Sequence, residues 1–253
     1  MTQTETKSKA RLLLLGGTTE SLALAEKLAD DPRLEVITSL AGRTVAHRLP
    51  PGEVRVGGFG GAAGLARYLR AESIALVVDA THPFAATISR NAAQACRDTG
   101  TPRLQLQRPA WERVSGDRWL DVPDIAGAAA ALPGLGRTIF LAVGRQELGA
   151  FAPTEGLRLI ARMVEAPDVS GFEVVLARGP FALADELAFF TEAGIEAVVS
   201  KNSGGDATYA KIAAARRIGL PVVMIARPPA EAGERAAGVG EALSWITARR
   251  AAA

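Results

Sequence analysis

Cysteine is nearly absent from this chain. Cys96 stands alone among 253 residues, so no intramolecular disulfide can form. Histidine is almost as scarce, and one thiol with His47 and His82 is too small a ligand set for a structural zinc site. No run of about 18 apolar residues occurs, so no transmembrane helix is expected. The N-terminal stretch MTQTETKSKAR is polar, and the apolar run after it, Leu12–Leu15, is too short for the core of a signal peptide. An excess of one charge is also missing. The net charge of +2 lacks the clustered basic surplus of a nucleic-acid binder. Tyrosine is limited to Tyr68 and Tyr209, and the positions one helical turn later hold Glu72 and Ala213, not lysine. The Tyr-Lys pair with which short-chain dehydrogenases reduce carbonyls is therefore missing. What remains is the expectation of a cytoplasmic protein, 48% hydrophobic and able to build a sizeable core.

The most informative stretch is LLLLGGTTE, Leu12–Glu20. A short, wholly apolar run ending in Gly-Gly reads as a strand buried on both faces, a tight turn and a helix start. Similar runs recur. Strands are predicted at Arg11–Leu15, Leu34–Ser39, Val54–Val56, Ala75–Ala80 and Arg103–Gln107. A second series follows at Trp119–Asp121, Thr138–Ala142, Leu157–Arg162, Glu173–Ala177, Ala197–Ser200 and Val222–Ala226. Helical patterns lie between them at Thr19–Ala29, Gly61–Glu72, Pro83–Thr99, Val122–Ala131, Phe181–Ala193 and Thr208–Arg217. Alternation of this kind makes βαβ units and parallel sheets. The strands are too many for one ordinary sheet of about 4–6. The predicted architecture is α/β: two Rossmann-like domains with mostly parallel sheets and a cleft between them, divided as residues 1–110 and 111–253. Arg108–Gly116 reads as the connector, Arg227–Glu234 as a loop, and Val239–Arg250 as a last helix free to pack on either domain.

Ligands of open parallel sheets bind beyond the carboxyl ends of the strands, where the strand order reverses. Gly16, Gly17, Thr18, Thr19 and Glu20 form such a loop. It is either a bare turn with a threonine cap or a phosphate cradle made of backbone N–H groups and the helix dipole. The second strand end sharpens the choice. NAD-binding folds place an acid there, about 20 residues after the glycines, to bind the ribose 2′-hydroxyl. Here Ile37–Arg43 reads ITSLAGR and offers Thr38, Ser39 and Arg43 with no acid. Hydroxyls and a guanidinium suit the 2′-phosphate of NADP, although a lone arginine is also the ordinary solvated surface charge.

Ala80–Ala85 reads ATHPFA, with Thr81 and His82 at a strand end and Pro83 at a suitable first helical position. The turn is either a packed cap or a wall of the site in which His82 is donor or acid. In the second half, AVGRQEL carries Arg145, RGPF carries Arg178, and SKNSGGD carries Ser200, Lys201, Asn202, Ser203 and Gly204. The last loop is a polar turn or a seat for carboxylates and phosphates. Three cations at strand ends of one parallel sheet share one edge, which favours the second reading.

Taken in order, LLLLGGTTE, DATHPFA, the GR of AVGR and SKNSGG resemble the hallmarks of the precorrin-6A reductase family of cobalamin biosynthesis. The resemblance spans Arg11 to about Pro228. It implies an NADPH-dependent oxidoreductase that reduces a double bond of a tetrapyrrole macrocycle, with cofactor bound by residues 1–110 and substrate binding contributed by residues 111–253. The aerobic members take metal-free precorrin-6A and the anaerobic branch its cobalt-containing equivalent. Gly16, Gly17, Thr18, Thr19, Glu20, Ser39 and Arg43 are then the cofactor residues. Thr81, His82, Arg145, Arg178, Ser200, Lys201, Asn202, Ser203 and Gly204 face the many acetate and propionate groups of the substrate. Lys201 is the first choice for electrostatic activation or proton supply and His82 the second, and no metal is needed. A reductase of another small molecule and a non-catalytic NADP-sensing protein are the rival readings. Oligomeric state is not encoded in any of these features.

Overall fold

A computed structural model describes residues 9–42, 49–151, 156–167 and 169–251. The chain divides into two compact units, Met1–Arg108 with Pro229–Ala253, and Pro109–Pro228. The first contains β1 (Ala10–Leu15), α1 (Thr19–Leu28), β2 (Leu34–Leu40), β3 (Glu53–Val56), α2 (Gly61–Ala71), β4 (Ile74–Asp79), α3 (Ala86–Thr99) and β5 (Arg103–Leu106). The second contains β6 (Arg118–Val122), α4 (Ile125–Ala130), β7 (Thr138–Ala142), a 3-10 helix (Arg145–Phe151), β8 (Arg158–Met163) and β9 (Glu173–Leu176). It continues through α5 (Leu183–Glu192), β10 (Ala197–Lys201), α6 (Ala210–Ile218) and β11 (Pro221–Ile225). The chain then returns to the first unit with β12 (Glu234–Ala236) and α7 (Val239–Ala251).

The four leucines of β1 show why the first sheet forms. All are buried, and alternate side chains leave opposite faces of a strand. Leu12 and Leu14 join Leu24, Leu28, Ala242 and Ile246 of α1 and α7. Leu13 and Leu15 join Leu65, Leu69, Ala92 and Cys96 of α2 and α3. A strand covered on both sides has no polar face to alternate, so it appears in the sequence as an unbroken apolar run.

Among the described residues, every strand pairing in both sheets is parallel. The first sheet runs β3-β2-β1-β4-β5-β12 and the second β9-β8-β7-β10-β11-β6. Each follows the winding of a dinucleotide-binding fold, with the reversal between β1 and β4 in one and between β7 and β10 in the other. The sixth place differs. A strand from the end of the chain fills it in the first sheet, and a strand that precedes the rest fills it in the second.

The two α/β sheets and their parallel pairing agree with the sequence reading. Three expectations need correction. The division at residue 110 assigned everything after it to the second half, but Pro229–Ala253 belongs to the first unit. The loop predicted at Arg227–Glu234 runs into β12, which pairs with β5 through Glu234, Arg235 and Ala236. Finally, α3 starts at Ala86 and not at Pro83, so Pro83 lies in the turn before it. The peptide N–H of Ala85 donates to the carbonyl of His82 at 2.7 Å and closes that turn.

Candidate functional site

The loop between β1 and α1 is built around Ser21. Its hydroxyl accepts from the N–H groups of Gly17 and Thr18, each at 3.0 Å, and donates to the Thr18 carbonyl at 2.8 Å. Thr18 caps the helix by accepting from the Ser21 N–H at 3.1 Å. Gly16 is pressed against β2: a Cβ there would meet the Thr38 methyl at 3.2 Å. Gly17 is its opposite. Its φ of +112° belongs to glycine, and nothing lies within 4 Å of where a Cβ would stand. The open side of that glycine, and the first-turn amides of Thr19 and Glu20 that no helix carbonyl can reach, fit a ligand phosphate. The Glu20 carboxylate beside it accepts from Arg108 at 2.7 Å, which neutralises the one acid adjoining the helix start.

Ser39 is the last residue but one of the neighbouring β2, and its carbonyl accepts from the Gly16 N–H at 2.9 Å. Arg43 lies outside the described residues. Among the described residues, Arg55 supplies a cation at this corner. Arg55 of β3 reaches the Ser39 hydroxyl at 3.4 Å, donates to the carbonyls of Gly57 and Gly58 at 2.6 and 2.7 Å, and stacks 3.8 Å above the Phe59 ring. Its guanidinium is held before any ligand arrives. Sequence reasoning missed it, because Arg55 precedes its glycines within a strand.

Across the reversal from β1, the DATHPFA turn starts from a buried acid. Asp79 is 1% exposed. One carboxylate oxygen accepts from the Thr81 hydroxyl at 2.7 Å and the Thr81 N–H at 3.3 Å. The other faces Arg103 at 3.6 Å, also buried. The Nδ1 of His82 accepts from the Phe84 N–H at 3.2 Å. In the neutral imidazole this puts the proton on Nε2 and turns that nitrogen into a donor.

In the second sheet the same positions hold a different chemistry. Lys201, the last residue of β10, reaches Glu147 of the 3-10 helix with distances of 2.8 and 2.6 Å to its two carboxylate oxygens. The Gly144 N–H donates to the same carboxylate at 2.6 Å. The structure thus joins the ends of β7 and β10 at one ion pair.

The remaining predicted residues divide into two groups. Asn202 is a clamp: its side chain accepts from the Trp111 N–H at 2.7 Å and donates to the Trp111 carbonyl at 3.0 Å. The Trp111 indole donates to the Gly205 carbonyl at 2.8 Å. Arg227 adds bonds to the carbonyls of Asn202 and Ser203 at 2.8 and 2.9 Å. Gly204 has a φ of +67°, and a Cβ there would fall 2.0 Å from the Pro109 carbonyl oxygen. Ser200 is fully buried, so its hydroxyl supports the strand end from beneath. The connector read at Arg108–Gly116 is thus part of this loop's architecture. Arg145 and Arg178 are exposed, and Arg145 lies 3.4 Å from Glu165. The structure brings Lys201, Asn202, Ser203 and Gly204 into one rigid loop but leaves Arg145 and Arg178 at the surface.

Two dinucleotide-type sheets, one with a glycine turn open to a phosphate on one side of its reversal point and one with a fixed lysine on the other side of its own, define an α/β oxidoreductase of the nicotinamide-dependent class. The chain belongs to the precorrin-6x reductase family, whose model (Precorrin-6x reductase CbiJ/CobK) matches residues 11–247. It is 50% identical over 240 residues to the precorrin-6A reductase of Rhodococcus erythropolis, covering 93% of this chain and 97% of that one. It is 29% identical over 242 residues to the cobalt-precorrin-6A reductase of Priestia megaterium, covering 88% and 92%. A solved structure of CobK precorrin-6A reductase superposes with a TM-score of 0.88 at 42% identity, covering 95% of this chain and 97% of that one.

Proposed function

We propose that this protein reduces a double bond of the precorrin-6A macrocycle to its dihydro form, with NADPH, as a step of cobalamin biosynthesis. The observation that carries the reading is the paired use of one winding: an anion-ready glycine turn beside β1 and a fixed ammonium at the end of β10. The metal-free substrate is preferred because identity is 50% to the relative named for it and 29% to the relative named for the cobalt form.

When bound, NADPH supplies the hydride. The chain's own residues do the rest. Gly17 and the first-turn amides of Thr19 and Glu20 hold the pyrophosphate, with Gly16 and Thr18 shaping the turn. Ser39, with Arg55 beside it, and Arg43 hold the 2′-phosphate. The absence of a carboxylate at the end of β2 fits that charge. Thr81, Arg145, Arg178, Ser203 and the backbone of Asn202 and Gly204 bind substrate carboxylates through charge-assisted hydrogen bonds. Ser200 and the Asn202 side chain act from behind, by keeping the loop in shape. Lys201 gives a proton from Nζ to the carbon next to the one that accepts hydride and regains it from solvent, with His82 Nε2 as the second candidate. A positioned general acid contributes about 10²–10⁴-fold.

The test is incubation with precorrin-6A and NADPH, following nicotinamide absorbance and the macrocycle spectrum. Oxidation of NADPH with formation of the dihydro product is expected, and the Lys201→Ala variant is expected to lose kcat far more than NADPH affinity. Tight NADPH binding with no turnover on any tetrapyrrole would point to a sensor instead. Wild-type turnover by Lys201→Ala would remove Lys201 from the chemistry.

A further inference from the structure

We propose that Glu147 is a positioning residue that holds the Lys201 Nζ in place and aimed for the reaction, a role that rests on the assignment of Lys201 as proton donor. Four observations converge on it. Lys201 ends β10 and Glu147 lies in the 3-10 helix that follows β7, the adjacent parallel strand, whose Ala142 is in register with Ser200 of β10. The Glu147 carboxylate engages Nζ through both oxygens, at 2.8 and 2.6 Å. The carboxylate is itself fixed, since it accepts the Gly144 N–H at 2.6 Å while the Glu147 N–H donates to the Gly144 carbonyl at 2.9 Å. The Lys201 side chain is only 13% exposed, against 26% for Glu147.

A partly buried ammonium is costly unless a counter-charge with good geometry compensates it. A flexible four-carbon stem also leaves its charge free to wander unless something restrains it. Glu147 does both: it stabilises the cation and sets where Nζ sits. Gly144 makes this approach feasible. A Cβ at that position would stand 2.9 Å from the Glu147 carboxylate oxygen and 3.7 Å from Nζ, so the glycine leaves the pair the room it needs. The arrangement resembles a helix capping box, but with its acid shared between the backbone and a lysine.

The experiment compares steady-state reduction of precorrin-6A by wild type, Glu147→Gln, Lys201→Ala and the double variant. Glu147→Gln keeps the shape and removes the charge. It is expected to lower kcat by about 10–100-fold, as loss of a partner that orients a catalytic group does, with the KM for NADPH unchanged. The double variant is expected to be no slower than Lys201→Ala alone, because a group that acts only through Lys201 has nothing left to position. Glu147→Asp should recover part of the lost kcat. If Glu147→Gln turns over like wild type while Lys201→Ala is slow, the proposal falls and the lysine assignment stands. If Lys201→Ala is itself fast, the lysine assignment falls first. A further loss in the double variant would mean that Glu147 acts by another route and also overturns the proposal. Where the Gln variant does not fold, Gly144→Ala crowds the same carboxylate from the other side and must reproduce the kcat loss with KM unchanged.

Discussion

The Thr18 hydroxyl donates to the Ala80 carbonyl at 2.8 Å, across the reversal point of the first sheet. The same oxygen accepts the Ser21 N–H. One side chain therefore caps α1 and ties the glycine turn after β1 to the DATHPFA turn after β4. An N-cap alone is worth about 1 kcal/mol, and a second hydrogen bond adds about 0.5–1.5 kcal/mol. Thr18→Ala is expected to lower the unfolding free energy by about 1.5–2.5 kcal/mol in urea titrations, on the sum of those contributions. It should also weaken NADPH binding, because the two turns lose their common anchor. Thr18→Ser should retain both properties. A Thr18→Ala protein as stable as wild type would show that the tie contributes nothing.

Much of this geometry is visible in the sequence because of how burial shapes composition. A central parallel strand is covered on both faces, so β1 and β10 stand out as apolar runs ending in glycine or polar loops. The loops at their ends carry the site, and their residue types report it. What escaped detection depends on partners distant in sequence. Strand β12 is three residues, ERA, with two of them exposed. Its identity as a strand comes from pairing with β5, and Arg103 marks the distance by donating to Ala232 at 2.9 Å across 129 residues. Glu147 was passed over for a related reason. It is an ordinary helix-start acid until Lys201, 54 positions later, is brought against it. Trp111 looked like a linker residue because its contacts lie 91 and 94 positions away.

Arg162 and Glu186 form a buried pair within the second unit, with side chains 10% and 1% exposed. The guanidinium engages both carboxylate oxygens and lies 4.2–4.9 Å from the centroids of Phe140, Phe181 and Phe189. Removing one member strands the other charge in an apolar setting. Glu186→Ala is expected to cost about 3–5 kcal/mol of stability. Replacing the pair together, Arg162→Met with Glu186→Leu, should cost much less, since the desolvation of both charges disappears with them. Urea denaturation of the three proteins measures this. A double variant as unstable as the single one would mean that the charges, and not the burial, hold α5 to β8.

Acid should act through Asp31. Its carboxylate accepts from the Arg33 side chain at 2.9 and 3.1 Å and from Arg250 of α7 at 2.7 Å. The Arg33 bonds, and after them Arg250, hold the carboxyl well below the usual carboxylate range despite the opposing effect of burial. The native state therefore binds fewer protons than the unfolded chain around the unfolded value of about 3.9. Stability from this group is complete above that value and is lost progressively as pH falls below it. Asp31→Asn should be less stable than wild type at pH 7, and the two should converge as pH drops below about 4. Denaturant midpoints at neutral and acid pH provide the comparison. A stability gap independent of pH would assign the effect to lost packing.

Cofactor choice can be tested at two arginines separately. Arg55 is preset over Phe59 and reaches Ser39 at the end of β2, whereas Arg43 follows that strand end in the sequence. A charge-assisted bond to a phosphate is worth about 1.5–3 kcal/mol, and each 1.4 kcal/mol is tenfold in Kd. Arg43→Ala and Arg55→Ala are each expected to weaken NADPH binding by about 10–100-fold on that scale. NADH, which lacks the 2′-phosphate, should lose little from either change. Titration calorimetry with both nucleotides separates the cases. Equal loss for NADPH and NADH at one arginine would mean that it supports the pocket without reading the phosphate. Raising the salt concentration should shrink the NADPH preference of wild type towards that of the arginine variants, because an exposed phosphate–guanidinium contact is screened. A preference that survives both the substitutions and the salt would point to the Ser39 hydroxyl, since that of Thr38 is buried.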